Sequence, residues 1–492
     1  MTSNHFATLV ACLTAALWPR ITDAAPASKI DLAPCELTGS GGFAAMGARC
    51  GHLNVPENPD DPGGREIALF VAVIESEGSE VPTDAFTFLA GGPGQAATTS
   101  FVDLHRAFEL VRRDRDVVLV DQRGTGRSAP LECKEDEALL GPSPDAAALM
   151  ASLRLCLDSF EADPRFYTTS IAVDDLERVR RALGYETFNV YGGSYGTRVG
   201  LHYLRKYPDS VRTLILDGVV PADISLGPGI ALTAQQALEN MFLRCDAASA
   251  CVESFGNIAT LFAGLQNELR EQSRSVRLAD PVTGEQREVE FGYDRFAIAM
   301  RLLSYAPESV AIMPLLIHEA ANRGHYGPIA AQSIMIETSL SEALSFGMHN
   351  SVVCTEDVPF LRSDDIDVDA LKKTYLGAGQ LELLQNICNV WPSGTIDPDF
   401  KEPVRSDLPV LLLSGGADPI TPPAYAERAA QTLSNHMHLV GKDMGHILAP
   451  VGCVPRLMSR YVSEASLGNL DAGCLDAVAP MPFFTSFNGP RP

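Results

Sequence analysis

The sequence predicts an α/β fold in which a mostly parallel sheet is flanked by helices and carries a large, mainly helical insertion. Short apolar runs alternate with amphipathic segments of helical period up to about Pro221, which is the pattern of parallel strands joined by helical crossovers. From Pro221 to about Pro403 helix-period segments follow one another, and the strand pattern then resumes. An apolar fraction of 46% is ordinary for a folded protein of this length, 492 residues.

The predicted strands are short runs that are rich in β-branched and other apolar residues. In chain order they are Ile67–Ile74, Ala85–Ala90, Asp116–Val120, Phe188–Tyr191, Thr213–Leu216, Pro409–Ser414 and His436–Val440. Between them we predict the helices Asp103–Arg112, Ile171–Leu183 (stopped by Gly184) and Thr197–Tyr207. The residues before the first strand, up to about Gly64, are rich in Gly, Pro and Asp and predict an extended N-terminal segment clipped by its own cysteines.

The insertion is predicted to be helical with one hairpin. Its helices are Ala231–Arg244, Ile258–Glu271, Asp294–Ser304, Val310–Ala321 and Leu340–Ser351, and its hairpin pairs Val276–Asp280 with Arg287–Phe291. We therefore divide the chain into a signal peptide (1–24), a first part of the core (25–220), a helical lid insertion (221–385) and a C-terminal part of the core (386–492).

The N-terminus predicts export. Phe6–Trp18 is an apolar run of the length of a signal h-region, and small residues follow it at Ala24, Ala25 and Ala27. Leu9–Cys12 mimics a lipoprotein cleavage site, but the apolar run before Cys12 is too short for the usual layout. We expect a secreted or periplasmic protein with a cleaved signal and no integral membrane span. The net charge of -24 disfavours nucleic-acid partners.

The cysteines agree with an oxidising destination. Of the 11 cysteines, Cys12 leaves with the predicted signal, and the other ten form five close couples. The couples are Cys35/Cys50, Cys133/Cys156, Cys245/Cys251, Cys354/Cys388 and Cys453/Cys474. Disulfides explain an even number in an exported chain better than free thiols do, although spacing does not fix connectivity. The cysteines have neither CxxC spacing nor histidines at ligand spacing, so we expect no metal.

The strongest local motif is Gly192-Gly193-Ser194-Tyr195-Gly196, which lies between a predicted strand and a predicted helix. In the G-x-S-x-G spacing, small residues permit a tight turn that exposes the serine hydroxyl above the sheet. The N-terminus of the following helix favours the negative charge that develops during nucleophilic attack. The motif predicts that Ser194 is a nucleophile.

A nucleophilic serine needs a base and an orienting carboxylate, which in this arrangement follow it in the chain in the order acid, histidine. Asp418 comes directly after the strand Pro409–Ser414, and His446 comes shortly after the strand His436–Val440. Asp217 and Asp443 are rival acids, and we prefer Asp418 because its position at a strand end fits that order. Seven other histidines lie in the signal, in helices, in the insertion or within a strand: His5, His202, His318, His325, His349, His436 and His438.

An oxyanion hole requires two backbone N–H donors. One is predicted at Tyr195, directly after the nucleophile. The other is predicted in the loop Ala90–Gly94 (AGGPG), which follows an early strand. Pro93 has no N–H, so Gly92 is the candidate donor and Gly91 the alternative.

Taken together, GGPG, the stretch Asp121–Ser128 (DQRGTGRS), GGSYG, Asp418 and His446 resemble the α/β-hydrolase fold. Within that fold they resemble the proline iminopeptidase and tripeptidyl aminopeptidase family of serine peptidases. Ala90 stands where many iminopeptidases have histidine before GGPG, which favours the tripeptidyl-aminopeptidase branch, and so do Met241–Cys251, Val353–Phe360 and the tail from about Asn386. The resemblance implies that Asp121 and Arg123 brace loops.

The resemblance implies an exopeptidase that releases short N-terminal units, from one amino acid to a tripeptide, through an acyl-enzyme and without a cofactor. Its expected partner is a peptide with a free N-terminus. Because that terminus is a cation, we expect carboxylates to bind it: Glu356 and Asp357, with Glu239 and Glu342 as alternatives. Glu356 and Asp357 could instead cap or brace a loop.

Two other functions are compatible with these residues. One is an esterase or amidase acting on small non-peptide substrates, since the same triad and fold serve many acyl groups. The other is an inactive hydrolase that serves as a binding module, which the presence of Ser194, Asp418 and His446 disfavours.

Overall fold

The computed structural model describes residues 29–79, 82–133, 146–362, 364 and 366–491. The predicted signal peptide, with Cys12, lies outside these described residues. The described chain has the predicted fold, a mostly parallel sheet with helices on both faces and a further helical region between its strands.

Nine strands form the central sheet. In chain order they are β1 (Ala33–Thr38), β2 (Ala45–Pro56), β3 (Glu66–Ile74), β4 (Asp84–Leu89), β5 (Val117–Val120), β6 (Thr187–Gly193), β7 (Val211–Asp217), β10 (Val410–Gly415) and β11 (His436–Gly441). Their order across the sheet is β1-β2-β3-β5-β4-β6-β7-β10-β11. The pairs from β1 to β5 are antiparallel, and the pairs from β5 through β4 to β11 are parallel.

Helices cover both faces of this sheet, so its central strands carry apolar residues on both faces. Along β3, Leu69, Val71 and Val73 enter one core, and Phe70, Ala72 and Ile74 enter the other. The first core is covered by α4 (Thr169–Leu183), α5 (Tyr195–Lys206) and α15 (Pro423–Ala430), and the second by α1 (Ala97–Leu104), α2 (Glu109–Arg112) and α16 (Val454–Glu464). This continuous apolar pattern is typical of parallel strands that are buried on both sides.

The lid lies between β7 and β10 in the chain and has an apolar core of its own. Its elements are α6 (Pro228–Ala247), α7 (Ser249–Phe255), α8 (Ile258–Glu271), the hairpin β8 (Arg274–Ala279) with β9 (Gln286–Phe291), α9 (Tyr293–Leu303), α10 (Pro307–Arg323), α11 (Gly327–Ala343), α12 (Phe346–Glu356), α13 (Val368–Lys373) and α14 (Gly379–Cys388). A further helix, α3 (Ala146–Ser159), precedes α4. The boundaries predicted for the four segments of the chain remain predictions.

The structure pairs the cysteines in the five predicted couples. The disulfides are Cys35–Cys50, Cys133–Cys156, Cys245–Cys251, Cys354–Cys388 and Cys453–Cys474. Three of them link β1 to β2, α6 to α7, and α12 to α14. None of the helices in the described ranges is long and apolar enough to cross a membrane.

Three predicted elements are wrong in their details. In place of the predicted helix Asp103–Arg112, the structure has the α-helix α1, which begins at Ala97, then a 3-10 turn and the short α2. Asp121 accepts a hydrogen bond from Thr98 N and so anchors the first turn of α1 closer to the glycine loop than predicted. The predicted helix Leu340–Ser351 is broken, since Ser345 N donates outside the helix, to Gly94 O at 3.0 Å. The N-terminal segment contains the strands β1 and β2. Many of their positions are exposed, so they lack the continuous apolar run from which the other strands were predicted.

Candidate active site

Ser194 lies on a sharp turn between β6 and α5. Its φ of 55° and ψ of -123° are unusual for a residue with a side chain. The turn is so tight that a Cβ at Gly192 would overlap Gly196 O, and a Cβ at Gly196 would overlap Leu89 O. Ser194 N donates to Asp217 O at 2.8 Å, which fixes the turn to the neighbouring strand. Close backbone approach therefore explains both glycines of the G-x-S-x-G motif.

Asp418 and His446 lie together beside this turn. His446 Nδ1–H donates to Asp418 Oδ2 at 2.8 Å. The His446 ring lies against Gly218, which directly follows β7, the strand that pairs with β6. Ile447, the residue after His446, lies against Gly193. The acid and the base therefore reach the same edge of the sheet as Ser194.

The Asp418 carboxylate is held on several sides. Its Oδ1 accepts hydrogen bonds from Ile420 N and Thr421 N, each at 2.9 Å, and its Oδ2 accepts one from Thr421 Oγ1 at 2.8 Å. Burial alone would lower the pKa of His446, but the charge and hydrogen bond of Asp418 raise it above its ordinary value. Asp418 therefore stabilises the protonated imidazole.

Asp217, the alternative acid, binds backbone N–H groups and a tyrosine hydroxyl. Its carboxylate accepts hydrogen bonds from Leu448 N, Ala449 N and Tyr191 Oη at 2.7 to 3.0 Å. Burial raises its pKa to about 6, against the effect of these donors. Asp217 thus anchors the chain just after His446 and does not hold the imidazole itself.

The glycine loop lies next to the nucleophile. A Cβ at Gly91 would be 3.1 Å from the Cβ of Ser194, so the loop backbone contacts the serine side chain. In the described part of the chain the N–H groups of Gly92 and Tyr195 donate to no protein acceptor. Both donors that were predicted for the oxyanion hole are therefore available for a ligand.

The lid touches both sides of this site. On one side, His446 N donates to Tyr305 O at 2.7 Å, and the Tyr305 ring meets the His446 ring edge-on at a centroid distance of 5.3 Å. On the other side, His349 Nδ1–H donates to Pro93 O at 3.1 Å. The lid therefore contacts the predicted base and the glycine loop at once.

Glu356 and Asp357 are fully buried where α12 meets α5. Arg198 of α5 forms two hydrogen bonds to Asp357, at 2.8 and 3.1 Å, and Leu226 N donates a third at 2.9 Å. Asp357 is thus already paired with a cation, which differs from the expectation of a carboxylate that is free to meet a substrate amine.

Glu356 shares Arg198 with Asp357 at a longer distance, and no other cation pairs with it in the described part of the chain. Arg198 Nη1 is 3.7 Å from Glu356 Oε2, outside hydrogen-bond distance, and the nearest donors are Thr169 N at 2.7 Å and Thr169 Oγ1 at 2.9 Å. Burial raises the pKa of Glu356 to about 7. Thr169 Oγ1 is also 2.6 Å from the hydroxyl of Tyr195, so this carboxyl is linked to the residue after Ser194.

The other predicted residues are placed as follows. Arg123 binds Asp175 with two hydrogen bonds, at 2.7 and 3.0 Å, and three backbone carbonyls, while Asp121 binds Thr98 and Arg127 N, so their predicted bracing role is confirmed. Glu239 and Glu342 are exposed on lid helices.

The sequence analysis did not identify the contributions of Thr421, Tyr305 and His349. Thr421 follows Asp418 in the same loop, and its position could have been inferred from the Asp-Pro-Ile-Thr turn. Tyr305 and His349 belong to the lid, and no periodicity in the sequence predicts which lid residues meet the core.

Comparison with known proteins agrees with this geometry. A family model described as alpha/beta hydrolase fold matches residues 84–250, and one described as TAP-like protein matches residues 373–474. Between them they include Ser194, Asp418 and His446.

Three curated relatives match parts of the chain. Tripeptidyl aminopeptidase of Streptomyces lividans is 30% identical over 35% of this chain and 35% of its own length. Serine protease Hip1 of Mycobacterium tuberculosis H37Rv is 28% identical over 39% of each chain. Proline iminopeptidase of Neisseria meningitidis serogroup B is 31% identical over 27% of this chain and 31% of its own length. The chain thus spans between 31% and 39% of the length of these relatives.

Solved structures match the chain at low similarity. Proline iminopeptidase of Mycobacterium smegmatis is 15% identical over 84% of this chain and 97% of its own, with a TM-score of 0.37. A hydrolase of Pseudomonas aeruginosa is 14% identical over 84% of this chain and 97% of its own, with a TM-score of 0.39.

Proposed function

Since the chain is an α/β-hydrolase of the proline iminopeptidase and tripeptidyl aminopeptidase family of serine peptidases, we propose that it is an exported exopeptidase. It releases short N-terminal units from peptides through an acyl-enzyme on Ser194. The observation that carries the proposal is the Asp418–His446 pair, 2.8 Å apart, at the sheet edge that presents Ser194. Five disulfides support an oxidising destination.

The chemistry follows from the placement of these groups. Ser194 Oγ attacks the scissile carbonyl carbon while His446 Nε2 takes its proton, and Asp418 stabilises the resulting imidazolium. The N–H groups of Gly92 and Tyr195 stabilise the oxyanion. His446 then protonates the leaving amine, the C–N bond breaks, and water activated by His446 hydrolyses the acyl-enzyme.

Glu356 is the carboxyl that we assign to the substrate N-terminus. The charge of Asp357 is balanced by Arg198, whereas Glu356 accepts only neutral donors at hydrogen-bond distance. An arriving ammonium group would offset the cost of ionising a buried carboxyl. Asp357 then acts by taking the hydrogen bonds of Arg198, whose guanidinium stays 3.7 Å from Glu356. Both predicted residues thus serve amine recognition, one directly and one by charge balance.

A panel of matched substrates tests the proposal. We expect cleavage of peptides that carry a free N-terminus, with release of one to three residues, and little cleavage of the same peptides after N-acetylation. The Ser194→Ala variant is the control for background activity. Equal cleavage of acetylated peptides would exclude an aminopeptidase, and turnover of p-nitrophenyl esters alone would identify an esterase.

A further inference from the structure

A chain of hydrogen bonds joins Glu356 to the side chain of Tyr195. Thr169 Oγ1, at the start of α4, is 2.9 Å from Glu356 Oε2 and 2.6 Å from the Tyr195 hydroxyl. Gln122, which lies just after β5, donates its Nε2–H to the same hydroxyl at 3.1 Å. The chain thus runs from a carboxyl of the lid, across the first turn of α4, to the residue whose backbone N–H is a predicted oxyanion donor.

This chain lies in the interior of the protein. Thr169 and Glu356 are fully buried, and Tyr195 is 2% exposed. At the other end, Gln122 and Tyr195 line a cavity of about 20 Å³ together with residues of the glycine loop. A cavity of this volume has room for about one water molecule and not for a substrate side chain. The chain therefore acts on a substrate at Ser194 through the position of Tyr195 and not through direct contact.

The charge on Glu356 sets the direction of these hydrogen bonds. An ionised carboxyl accepts a hydrogen bond from Thr169 Oγ1, which accepts one from the Tyr195 hydroxyl, which in turn accepts one from Gln122. All three donors then point toward the charge, and hydrogen bonds to an ionised acceptor are shorter and stronger than neutral ones. A protonated carboxyl carries its proton on Oε2, because Oε1 accepts from Thr169 N at 2.7 Å, and it reverses the first two bonds of the chain.

The charged groups that face Glu356 are Arg198, Asp357 and Lys401. Arg198 is 3.7 Å away, Asp357 is the next residue, and Lys401 is 3.9 Å from Asp357. Beyond Thr169, the titratable group is the hydroxyl of Tyr195. Burial raises the pKa of Glu356 to about 7, so an arriving ammonium group is enough to ionise the carboxyl, and the carboxyl proton leaves to water.

We propose that Tyr195 is a positioning residue whose side chain makes the predicted oxyanion donor respond to the charge on Glu356. The chain holds the Tyr195 ring more firmly when Glu356 is ionised, and the backbone N–H of the same residue is then fixed in the orientation that the oxyanion requires. This inference rests on the proposed function and deepens it: binding of the substrate amine raises kcat in addition to lowering KM.

A double-mutant cycle on Tyr195 and Glu356 tests the chain with a peptide that carries a free N-terminus. Tyr195→Phe keeps the ring and the backbone N–H and removes the hydroxyl, so we expect kcat to fall about fivefold with KM changed less than about twofold. In the Glu356→Gln background the same change should cost less than about twofold, because the charge that orients the hydroxyl is gone. Losses that multiply would overturn the proposal, since a purely structural role of Tyr195 does not depend on Glu356.

Variants of Thr169 and Tyr203 complete this cycle. Thr169→Val breaks the middle of the chain and should reproduce the loss if Tyr195→Phe does not fold, whereas Thr169→Ser keeps a hydroxyl and should retain most of the kcat. Tyr203→Phe is the matched control, because the Tyr203 hydroxyl donates to Glu177 at 2.9 Å between the same two helices, α5 and α4. Its effect on kcat should be about twofold or less, with or without Glu356→Gln. A Tyr203→Phe loss as large and as dependent on Glu356 would contradict a specific chain.

Failure of the proposed function has a different signature. Equal cleavage of free and N-acetylated peptides, or hydrolysis of esters alone, would refute the exopeptidase proposal. The same cycle is then measured on p-nitrophenyl acetate at about pH 6 and about pH 8, on either side of the pKa of Glu356, which is about 7. Coupling between Tyr195 and Glu356 that is larger at the higher pH supports the chain, and coupling that is absent or independent of pH rejects it.

Discussion

At the scale of single residues, the proposed catalytic roles of Asp418 and His446 predict how the activity depends on pH. Because Asp418 raises the pKa of His446 against the effect of burial, the imidazole loses its proton above its ordinary range. Only the neutral imidazole can accept the Ser194 proton. We therefore expect the activity to rise with pH, and the pH at which it rises to be determined by this pair.

We predict that kcat/KM rises with pH as His446 deprotonates, through a single step near or above neutrality. Asp418→Asn should shift this step to lower pH, because the carboxylate that favours the protonated ring is gone. The same variant should reduce kcat by about 10⁴-fold. Rate profiles between pH 5 and 9 for both proteins measure this. A flat profile in the wild type, or an unshifted step in the variant, would contradict the assigned roles.

Glu356 gives a second prediction at this scale. Its pKa is raised from 4.5 to about 7, so the folded protein holds this proton more tightly than the unfolded chain does. Its contribution to stability is therefore greatest below pH 4.5 and is lost as the pH rises through about 7. The charged groups around it are Arg198, Asp357 and, next to Asp357, Lys401.

Glu356→Gln removes this titration. We predict that the Tm of the variant rises relative to that of the wild type as the pH goes from about 5 to 8. It should also slow the cleavage of free-amine peptides far more than the hydrolysis of a small neutral ester. Scanning calorimetry at several pH values and a two-substrate rate assay are the measurements. A Tm difference that does not change with pH would show that the carboxyl does not titrate, and equal losses on both substrates would indicate a structural role.

At the scale of elements, the break between α11 and α12 connects the lid to the glycine loop. Ser345 N donates to Gly94 O, and four residues later His349 donates to Pro93 O. Both bonds end on carbonyls of the loop that presents Gly92 N. The start of α12 therefore fixes the position of one predicted oxyanion donor.

His349→Leu should loosen this loop without touching the triad. We predict a fall in kcat of about tenfold, the cost of one buried hydrogen bond near the reacting centre, with KM changed less than twofold. The affinity of a boronic acid inhibitor, which binds as a tetrahedral anion, should fall in proportion. His349→Gln retains a donor and should recover part of both. An unchanged inhibitor affinity would separate His349 from the oxyanion hole.

The core strands and the lid differ in how far the sequence predicts them. Strands such as β3, β6 and β10 are apolar on both faces and flanked by turn residues, so their positions were predicted to within a few residues. The elbow motif is equally recognisable in the sequence, although of its two required glycines only Gly192 is explained by a contact within the motif, since Gly196 lies against Leu89 O. The partners of Arg198 depend on how the lid packs on the core, and helical period carries no information about that packing.

At the scale of the whole molecule, disulfides cross-link helices of the lid. Cys354–Cys388 joins α12 to α14 across a separation of 34 residues, and Cys354 is two residues before Glu356. A closed loop of this size contributes about 3 to 4 kcal/mol by restricting the unfolded chain. The same bond holds α12 against α14, and it thereby restricts the positions of His349 and Glu356, which both lie on α12.

We predict that protein recovered from its native compartment has all five couples oxidised in non-reducing peptide maps, and that reduction lowers its Tm. The double variant Cys354→Ser/Cys388→Ser should lose about 3 to 4 kcal/mol of unfolding free energy. It should also lose the ability to distinguish free from acetylated N-termini before it loses esterase activity. Free thiols at these positions in the native protein would contradict export to an oxidising compartment.

The most direct test of the account is to identify the covalent intermediate by mass spectrometry. The enzyme is quenched with acid during turnover of a peptide that carries a free N-terminus, and its fragments are sequenced. We predict an acyl group of one to three residues on Ser194, no such adduct from the N-acetylated peptide, and none in Ser194→Ala. An adduct on another residue, equal acylation by the acetylated peptide, or cleavage that persists in Ser194→Ala would contradict the assignment of this protein as a serine exopeptidase.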